Sequence, residues 1–106
     1  MGITAEKLGG QYGITREDCD NYALRSQNLF EEAAGKGVFK AEIAPMEVKG
    51  RKGAVDVVEA DEAPRFGCKI GDLSKLKSVF VDDGLVTAGS ASGITDGAAS
   101  LVSAYI

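Results

Sequence analysis

Apolar and small side chains recur at three- and four-residue steps between Arg16 and about Ala34. This spacing places them on one face of a long amphipathic helix. Thr15, followed three residues later by Asp18, resembles a capping box and indicates where the helix begins. We therefore predict a helix from Arg16 to about Ala34 whose inner face packs in the core. The residues of this face are Cys19, Tyr22, Ala23, Ser26, Leu29, Phe30, Ala33 and Ala34.

Two shorter helices are expected on either side of this one. The first covers 5–11, where Thr4 can serve as the N-cap. The glycine pair at 9–10 weakens it, because each glycine costs roughly 1 kcal/mol relative to alanine inside a helix. The second runs from the cap residue Asp72 through Lys77, with two leucines on one side. The first helix is therefore expected to be short and to depend on packing.

Alternating apolar positions on both sides of a glycine-bounded turn predict a β-hairpin. The strands are expected over 41–49 and 54–59, and Pro45 favours an edge position or a bulge for the first strand. The basic residues at the turn favour a solvated hairpin tip over an anion site. They are Lys49, Arg51 and Lys52.

Small residues dominate the stretch 83–99, which lies between two apolar segments. Its glycines allow the backbone to come close to another group, and its hydroxyls supply hydrogen bonds without bulk. We interpret the stretch as a ligand-facing turn. The uncharged run 97–106 that overlaps its end has the composition of a strand or helix buried on more than one face.

Length and composition restrict the class of protein. The 106 residues are enough for one small domain, and 44 % hydrophobic with 26 % charged residues is ordinary for a globular chain. The net charge of -4 argues against nucleic acid as a partner. The longest uncharged apolar stretch is the last ten residues, which is too short to span a bilayer, so no membrane association is expected.

The two cysteines, Cys19 and Cys68, are far apart and the chain has no histidine. A zinc site is therefore not expected, and neither is a cysteine-dense secreted scaffold. Two reduced thiols in an intracellular protein is the favoured interpretation, and no leader peptide is visible at the start. Cys19 lies among Glu17, Asp18 and Asp20, which should raise the pKa of its thiol.

Three segments together resemble signatures of the thiolase family, in the order of that family. They are MGITAE at 1–6, DEAPR at 61–65 and VTAGSASGITDGAA at 86–99. The resemblance covers essentially the whole chain. It implies an α/β fold, α+β locally, with residues 1–78 forming most of the loop or lid domain. Residues 79–106 would return to the N-terminal core, where a terminal strand over 98–106 would join a layered αβαβα structure.

The resemblance implies an acyltransferase that condenses two acetyl-CoA molecules or cleaves 3-ketoacyl-CoA by thiolysis. Coenzyme A thioesters are the substrate in this chemistry, and no separate cofactor is implied. The reaction needs a nucleophilic cysteine activated by a histidine. Because the 106 residues contain no histidine, no catalytic residue is assigned and the chain alone is expected to be inactive. The alternatives are a stand-alone CoA- or nucleotide-binding module and a non-functional truncated thiolase-like product.

The resemblance also implies a set of CoA contacts. Arg65 would lie by the nucleotide end, although a surface salt bridge to Asp61 or Glu62 is the alternative for this side chain. Many family members carry serine at the position of Asp72, where a carboxylate repels phosphate. The complete implied set is Met1 near the pantetheine thiol, Arg65, then Asp72, Leu73 and Leu76 around the adenine, and Ser92 with Ala88, Ala91 and Gly93 along the pantetheine arm.

The family resemblance finally implies partners and a location. The partners would be CoA or acyl-CoA, the remainder of a thiolase polypeptide, and further copies in a dimer or tetramer. The location would be intracellular, in the cytosol, the mitochondrion or the peroxisome.

Overall fold

The computed structural model describes residues 1–50 and 53–104. The elements in chain order are helix α1 (Gly2–Gln11), helix α2 (Arg16–Gly35), a 3-10 helix (Val38–Ala41), strand β1 (Met46–Lys49), strand β2 (Val55–Val58) and helix α3 (Ile70–Ser74). Two parts of the sequence predictions lie outside the described residues. They are Arg51 and Lys52 of the hairpin tip and the last two positions of the terminal strand.

The bounds and the capping box of helix α2 confirm the sequence prediction. The Thr15 backbone N–H donates to Asp18 Oδ2 at 2.8 Å, and the Asp18 N–H donates to Thr15 Oγ1 at 3.1 Å, which completes the capping box. The Thr15 hydroxyl and backbone lower the pKa of Asp18 through these hydrogen bonds. The predicted core packing of the inner face is wrong for most of its residues: Ala23 is buried, but Tyr22 is 71 % and Leu29 is 48 % exposed. Phe30 stacks on Phe39 with ring centroids 5.1 Å apart.

Helix α1 begins earlier than predicted. Met1 is its N-cap, and the Met1 carbonyl accepts a hydrogen bond from the Ala5 N–H at 3.0 Å. The prediction that Thr4 caps this helix is therefore wrong, because Thr4 already lies inside it. Gly9 is buried, and a Cβ at that position would overlap Leu85 Cδ1. Gly9 therefore weakens the helix but also lets it approach the 84–86 segment closely.

The hairpin is confirmed, with shorter strands than predicted. β1 and β2 are antiparallel, with Met46 opposite Val58 and Lys49 opposite Val55. The 3-10 helix ends at Ala41, the first residue of the range assigned to the first strand, and residues 42–45 have no regular structure. Pro45 directly precedes β1, where its missing N–H removes no ladder hydrogen bond. All eight strand residues are exposed.

Helix α3 begins two residues before the predicted cap. Lys69 is the N-cap, and its backbone N–H donates to Asp72 Oδ2 at 3.1 Å. Asp72 was expected to cap the helix, and this assignment is wrong. The Asp72 side chain lies in the first turn of the helix and accepts the hydrogen bond of the N-cap backbone N–H. The helix ends at Ser74 rather than at Lys77.

Arg16 joins α2 to the segment that contains α3. Its Nε lies 3.0 Å from both carboxylate oxygens of Asp20, and its Nη2 donates to the carbonyls of Leu73 at 3.0 Å and Leu76 at 2.9 Å. Asp20 is only 3 % exposed, and Leu73 is 6 % exposed. A single guanidinium therefore compensates a buried carboxylate and two carbonyls at the end of α3.

The predicted terminal strand is absent from the described residues 98–104, which form neither strand nor helix. Leu101 and Val102 are each 96 % exposed. A strand needs a neighbour to satisfy its backbone hydrogen bonds, and no described segment pairs with this one. Among the described residues, no helix combines the length and the apolar composition that crossing a membrane requires.

Candidate functional site

An open cleft of about 780 Å³ lies between α2, α3 and the segment 88–93. We call it the main cleft. It brings together seven of the nine residues that the family resemblance implied as CoA contacts: Arg65, Asp72, Leu73, Leu76, Ala88, Ala91 and Gly93. The structure therefore gathers positions that are spread over 29 residues of sequence, from 65 to 93, around one space.

The irregular segment that carries Arg65 is held by side chains of α2. The Arg65 backbone N–H donates to Gln27 Oε1 at 2.8 Å, and the Gly67 N–H donates to Glu31 Oε2 at 2.8 Å. A segment without regular structure must find other acceptors for its N–H groups. Gln27 and Glu31, one turn apart on α2, supply them and fix the backbone of Arg65 beside the cleft.

The charged residues that line the main cleft are Arg65, Asp72 and Lys75. Lys75 Nζ lies 2.8 Å from Asp72 Oδ1. The hydrogen bond from Lys75, followed by that from the Lys69 backbone, lowers the pKa of Asp72, and the same bond to Asp72 raises the pKa of Lys75. Both groups are therefore charged at neutral pH. Lys75 offsets the repulsion that the Asp72 carboxylate would exert on a phosphate, and Arg65 leaves the lining of the cleft with a net positive charge.

Arg65 makes no ion pair with Asp61 or Glu62 within the described ranges. The ion pairs found there are Arg16 with Asp20, Lys36 with Glu32, and Lys75 with Asp72. The structure thus lacks the surface salt bridge that was the alternative interpretation of Arg65.

Another part of the cleft lining is a turn of small residues built on Thr87, which is fully buried. The Thr87 carbonyl accepts hydrogen bonds from the backbone of Ser90 at 3.2 Å and of Ala91 at 2.9 Å. The Thr87 N–H donates to Ser90 Oγ at 3.0 Å, and the Gly89 N–H donates to Thr87 Oγ1 at 3.2 Å. These bonds close the turn and present Ala88 and Ala91 to the cleft.

Two of the implied contacts lie elsewhere. Ser92 lines a neighbouring cavity of about 610 Å³ between α2 and the 89–92 segment, together with Cys19 and Tyr22. Met1 is fully exposed at the start of α1 and lines neither space. The implied set of contacts omits five residues of the main cleft, namely Gln27, Ala63, Cys68, Lys75 and Gly89. Gly89 lies in the stretch 83–99 that was interpreted as a ligand-facing turn. Lys75 also left a signal, since it lies three residues after Asp72 and opposite charges at that spacing pair on a helix surface.

Neither cysteine is in a disulfide. Burial raises the pKa of the Cys19 thiol, and the carboxylates of Asp20 and Asp18 raise it further. This confirms the expectation from the acidic neighbourhood of Cys19. Cys68 lines the main cleft, with its Sγ 3.9 Å from the Lys69 carbonyl oxygen.

We expect the raised pKa of Cys19 to appear as a shifted pH–rate profile. In a Cys68→Ser variant, which leaves one thiol, the rate of iodoacetamide alkylation should reach half of its maximum at a higher pH in the folded chain than in guanidinium. Only the thiolate reacts, and folding lowers the thiolate fraction at any given pH. The midpoint does not depend on accessibility, so the denatured sample is an internal control. Equal midpoints would contradict the prediction.

The chain is similar in sequence and in structure to known thiolases. The family model for the thiolase N-terminal domain matches residues 1–104. The chain therefore belongs to the thiolase family. The mitochondrial 3-ketoacyl-CoA thiolase of Mus musculus is 49 % identical over 102 residues, which is 96 % of this chain and 25 % of that protein. The acetyl-CoA acetyltransferase of Allochromatium vinosum is 50 % identical over 102 residues, or 96 % of this chain and 26 % of the relative.

Solved structures show the same fold. The crystal structure of the Bacillus anthracis acetyl-CoA acetyltransferase matches with a TM-score of 0.83 and 46 % identity, over 89 % of this chain and 24 % of that one. Human mitochondrial 3-ketoacyl-CoA thiolase in complex with CoA matches with a TM-score of 0.75 and 42 % identity, over 86 % of this chain and 22 % of that one. These matches confirm the predicted α/β class. The chain spans about a quarter of the length of the curated relatives that it matches.

Proposed function

We propose that this chain is the CoA-binding part of a thiolase, an acyltransferase that condenses two acetyl-CoA molecules or cleaves 3-ketoacyl-CoA by thiolysis. The observation that carries the proposal is the main cleft, where seven of the nine implied contacts meet. The crystal structure of the related human thiolase in complex with CoA supports the choice of ligand.

The chemistry of the cleft suits the two ends of CoA. Arg65 and Lys75 supply cations for the phosphates of the nucleotide, while Leu73 and Leu76 offer apolar surface to the adenine. The small residues of the turn allow the pantetheine arm to approach the backbone closely. The volume of about 780 Å³ lies within the roughly 300–1,000 Å³ that is typical of small-molecule sites.

Catalysis requires groups that these 106 residues do not contain. An acyl-cysteine mechanism needs a thiolate and a base, but the chain has no histidine and the pKa of Cys19 is raised. We therefore assign binding, and no turnover, to the chain by itself. The proposal places residues 1–78 in the lid domain and residues 79–106 in the return to the N-terminal core.

The proposed partners and setting follow from the family. The remainder of a thiolase polypeptide would supply the nucleophile and its base, and further copies would assemble into a dimer or tetramer. The CoA thioester serves as the substrate without a separate cofactor. The mouse relative carries a mitochondrial name, which supports the mitochondrion as one location beside the cytosol and the peroxisome.

The test is an NMR titration of the isotope-labelled chain with CoA and with dephospho-CoA, which lacks the 3′-phosphate. We expect shifts at Arg65, Leu76 and Ala91, and affinity for CoA that is roughly tenfold higher than for dephospho-CoA, as one charge-assisted contact provides. Arg65→Met should reduce this preference. Arg25→Met, which removes an exposed arginine of α2, is the matched control and should retain it.

Two outcomes would contradict the proposal. Indifference of the spectrum to CoA would remove the binding function. Thiolysis of acetoacetyl-CoA by the pure chain would leave binding in place but overturn the assignment of an inactive part.

A further inference from the structure

Glu6 links helix α1 to a segment 79 residues later in the chain. Its Oε2 accepts the backbone N–H of Leu85 at 2.8 Å, and its Oε1 accepts the backbone N–H of Val86 at 2.9 Å. Both bonds are partly buried. Hydrogen bonds to an ionised acceptor are roughly twice as strong as neutral ones. One carboxylate therefore fixes two successive peptide groups.

A continuous series of hydrogen bonds leads from this point to the main cleft. The Val86 carbonyl accepts the Val79 N–H at 3.0 Å, and Thr87 pairs with Ser78 in an antiparallel bridge. The segment is thus held by Glu6 through its N–H groups and by the 78–79 segment on the other edge. The next residue, Thr87, anchors the turn that presents Ala88 and Ala91 to the cleft.

We propose that Glu6 is a positioning residue for CoA binding, a role that rests on the function proposed above. It touches no part of the ligand site, since it does not line the main cleft. It fixes where the 87–91 turn lies relative to Leu73 and Leu76, against which Gly89 packs. Small displacements of a binding wall are costly, because complementarity to the ligand is lost. The nucleotide end depends on Arg65 and Lys75, which α2 and α3 hold independently of Glu6.

A loss of Glu6 should therefore weaken ligands that contact the turn and spare ligands that contact only Arg65 and Lys75. The variant is Glu6→Gln, which keeps the shape of the side chain but turns an N–H donor toward one of the two backbone N–H groups. The probes are CoA, pantetheine and adenosine 3′,5′-bisphosphate, each titrated into the labelled chain. Glu17→Gln, an exposed glutamate of α2, is the matched control.

We expect Glu6→Gln to weaken CoA and pantetheine about fivefold, as the loss of one buried hydrogen bond predicts, and to leave the bisphosphate within about twofold. Amide hydrogen exchange should accelerate at Leu85 and Val86 in the ligand-free variant. Equal loss of all three probes would assign Glu6 to global stability and overturn the proposal, as would unchanged affinity for pantetheine. Failure of the unaltered chain to bind any probe would instead overturn the proposed function, and the ligand role of Glu6 with it.

Discussion

Replacing Arg16 with methionine is expected to lower the free energy of unfolding by about 3 kcal/mol. The substitution keeps most of the side-chain volume but removes the charge that faces Asp20, which is 3 % exposed. Removing one partner of a buried ion pair costs roughly 3–5 kcal/mol, because the other charge stays buried without compensation. Arg16 itself is about one-quarter exposed, which places the expected loss at the lower end of that range. The carbonyls of Leu73 and Leu76 also lose their donor.

The measurement is equilibrium urea unfolding followed by circular dichroism. Arg25→Met on the exposed face of the same helix is the control, and we expect it to change stability by less than about 0.5 kcal/mol. Combining Arg16→Met with Asp20→Leu should recover part of the loss, because the unpaired carboxylate is then removed. A loss below about 1 kcal/mol for Arg16→Met, or a double variant no better than the single one, would refute this account of the α2–α3 connection.

Local signals in the sequence predicted the elements whose stabilising contacts are local. Helix α2 is the clearest case, because its periodicity and the Thr15–Asp18 capping box both lie within the helix and its first turn. The hairpin is similar, since its turn and its two strands are adjacent in sequence. The start of α1 and the cap of α3 were misplaced by two or three residues. At helix ends several neighbouring residues can satisfy the same N–H groups, so the choice among them is weakly determined.

The long-range contacts could not be predicted in this way. Nothing around Glu6 indicates that its carboxylate meets Leu85 and Val86, or that Arg16 reaches the carbonyls of α3. These contacts depend on how the elements pack, and no spacing rule connects residues 57 to 80 positions apart. For the uncharged run 98–104 the local composition predicted a strand, and the structure has none there. Its composition favours a strand, but a strand forms only beside a neighbour that satisfies its backbone.

The main cleft combines both situations. Seven of its residues were selected from the resemblance to thiolases, and the structure groups them. Lys75 and Gln27 were not selected, although Lys75 supplies the charge that balances Asp72 and Gln27 holds the backbone of Arg65. Gln27 acts through a neighbour and carries no recognisable pattern of its own, whereas Lys75 left only the signal of its spacing from Asp72.

Gly89 lies close to Leu73 and Leu76, and we expect Gly89→Ala to lower the stability of the fold because of this contact. A Cβ at Gly89 would lie 2.7 Å from Leu73 Cδ2 and 2.9 Å from Leu76 Cδ1. Leu73 is buried and cannot rotate away freely, so Gly89→Ala must push the turn outward. Overpacking of this kind costs roughly 1–3 kcal/mol, and we expect a loss of about 2 kcal/mol. In a chain of this size that corresponds to a fall in Tm of roughly 8–16 °C.

Gly89→Ala is also expected to weaken CoA binding. It displaces the turn and the two leucines, and all of them line the main cleft. Thermal unfolding and the CoA titration should therefore change together. Gly97→Ala is the matched control, since a Cβ there meets no heavy atom within 4 Å, and neither glycine has the positive φ that would add backbone strain. Adding Leu76→Ala to Gly89→Ala should relieve part of the clash. If Gly89→Ala were as stable as Gly97→Ala and bound CoA equally well, the turn would not be packed against the leucines as the structure places it.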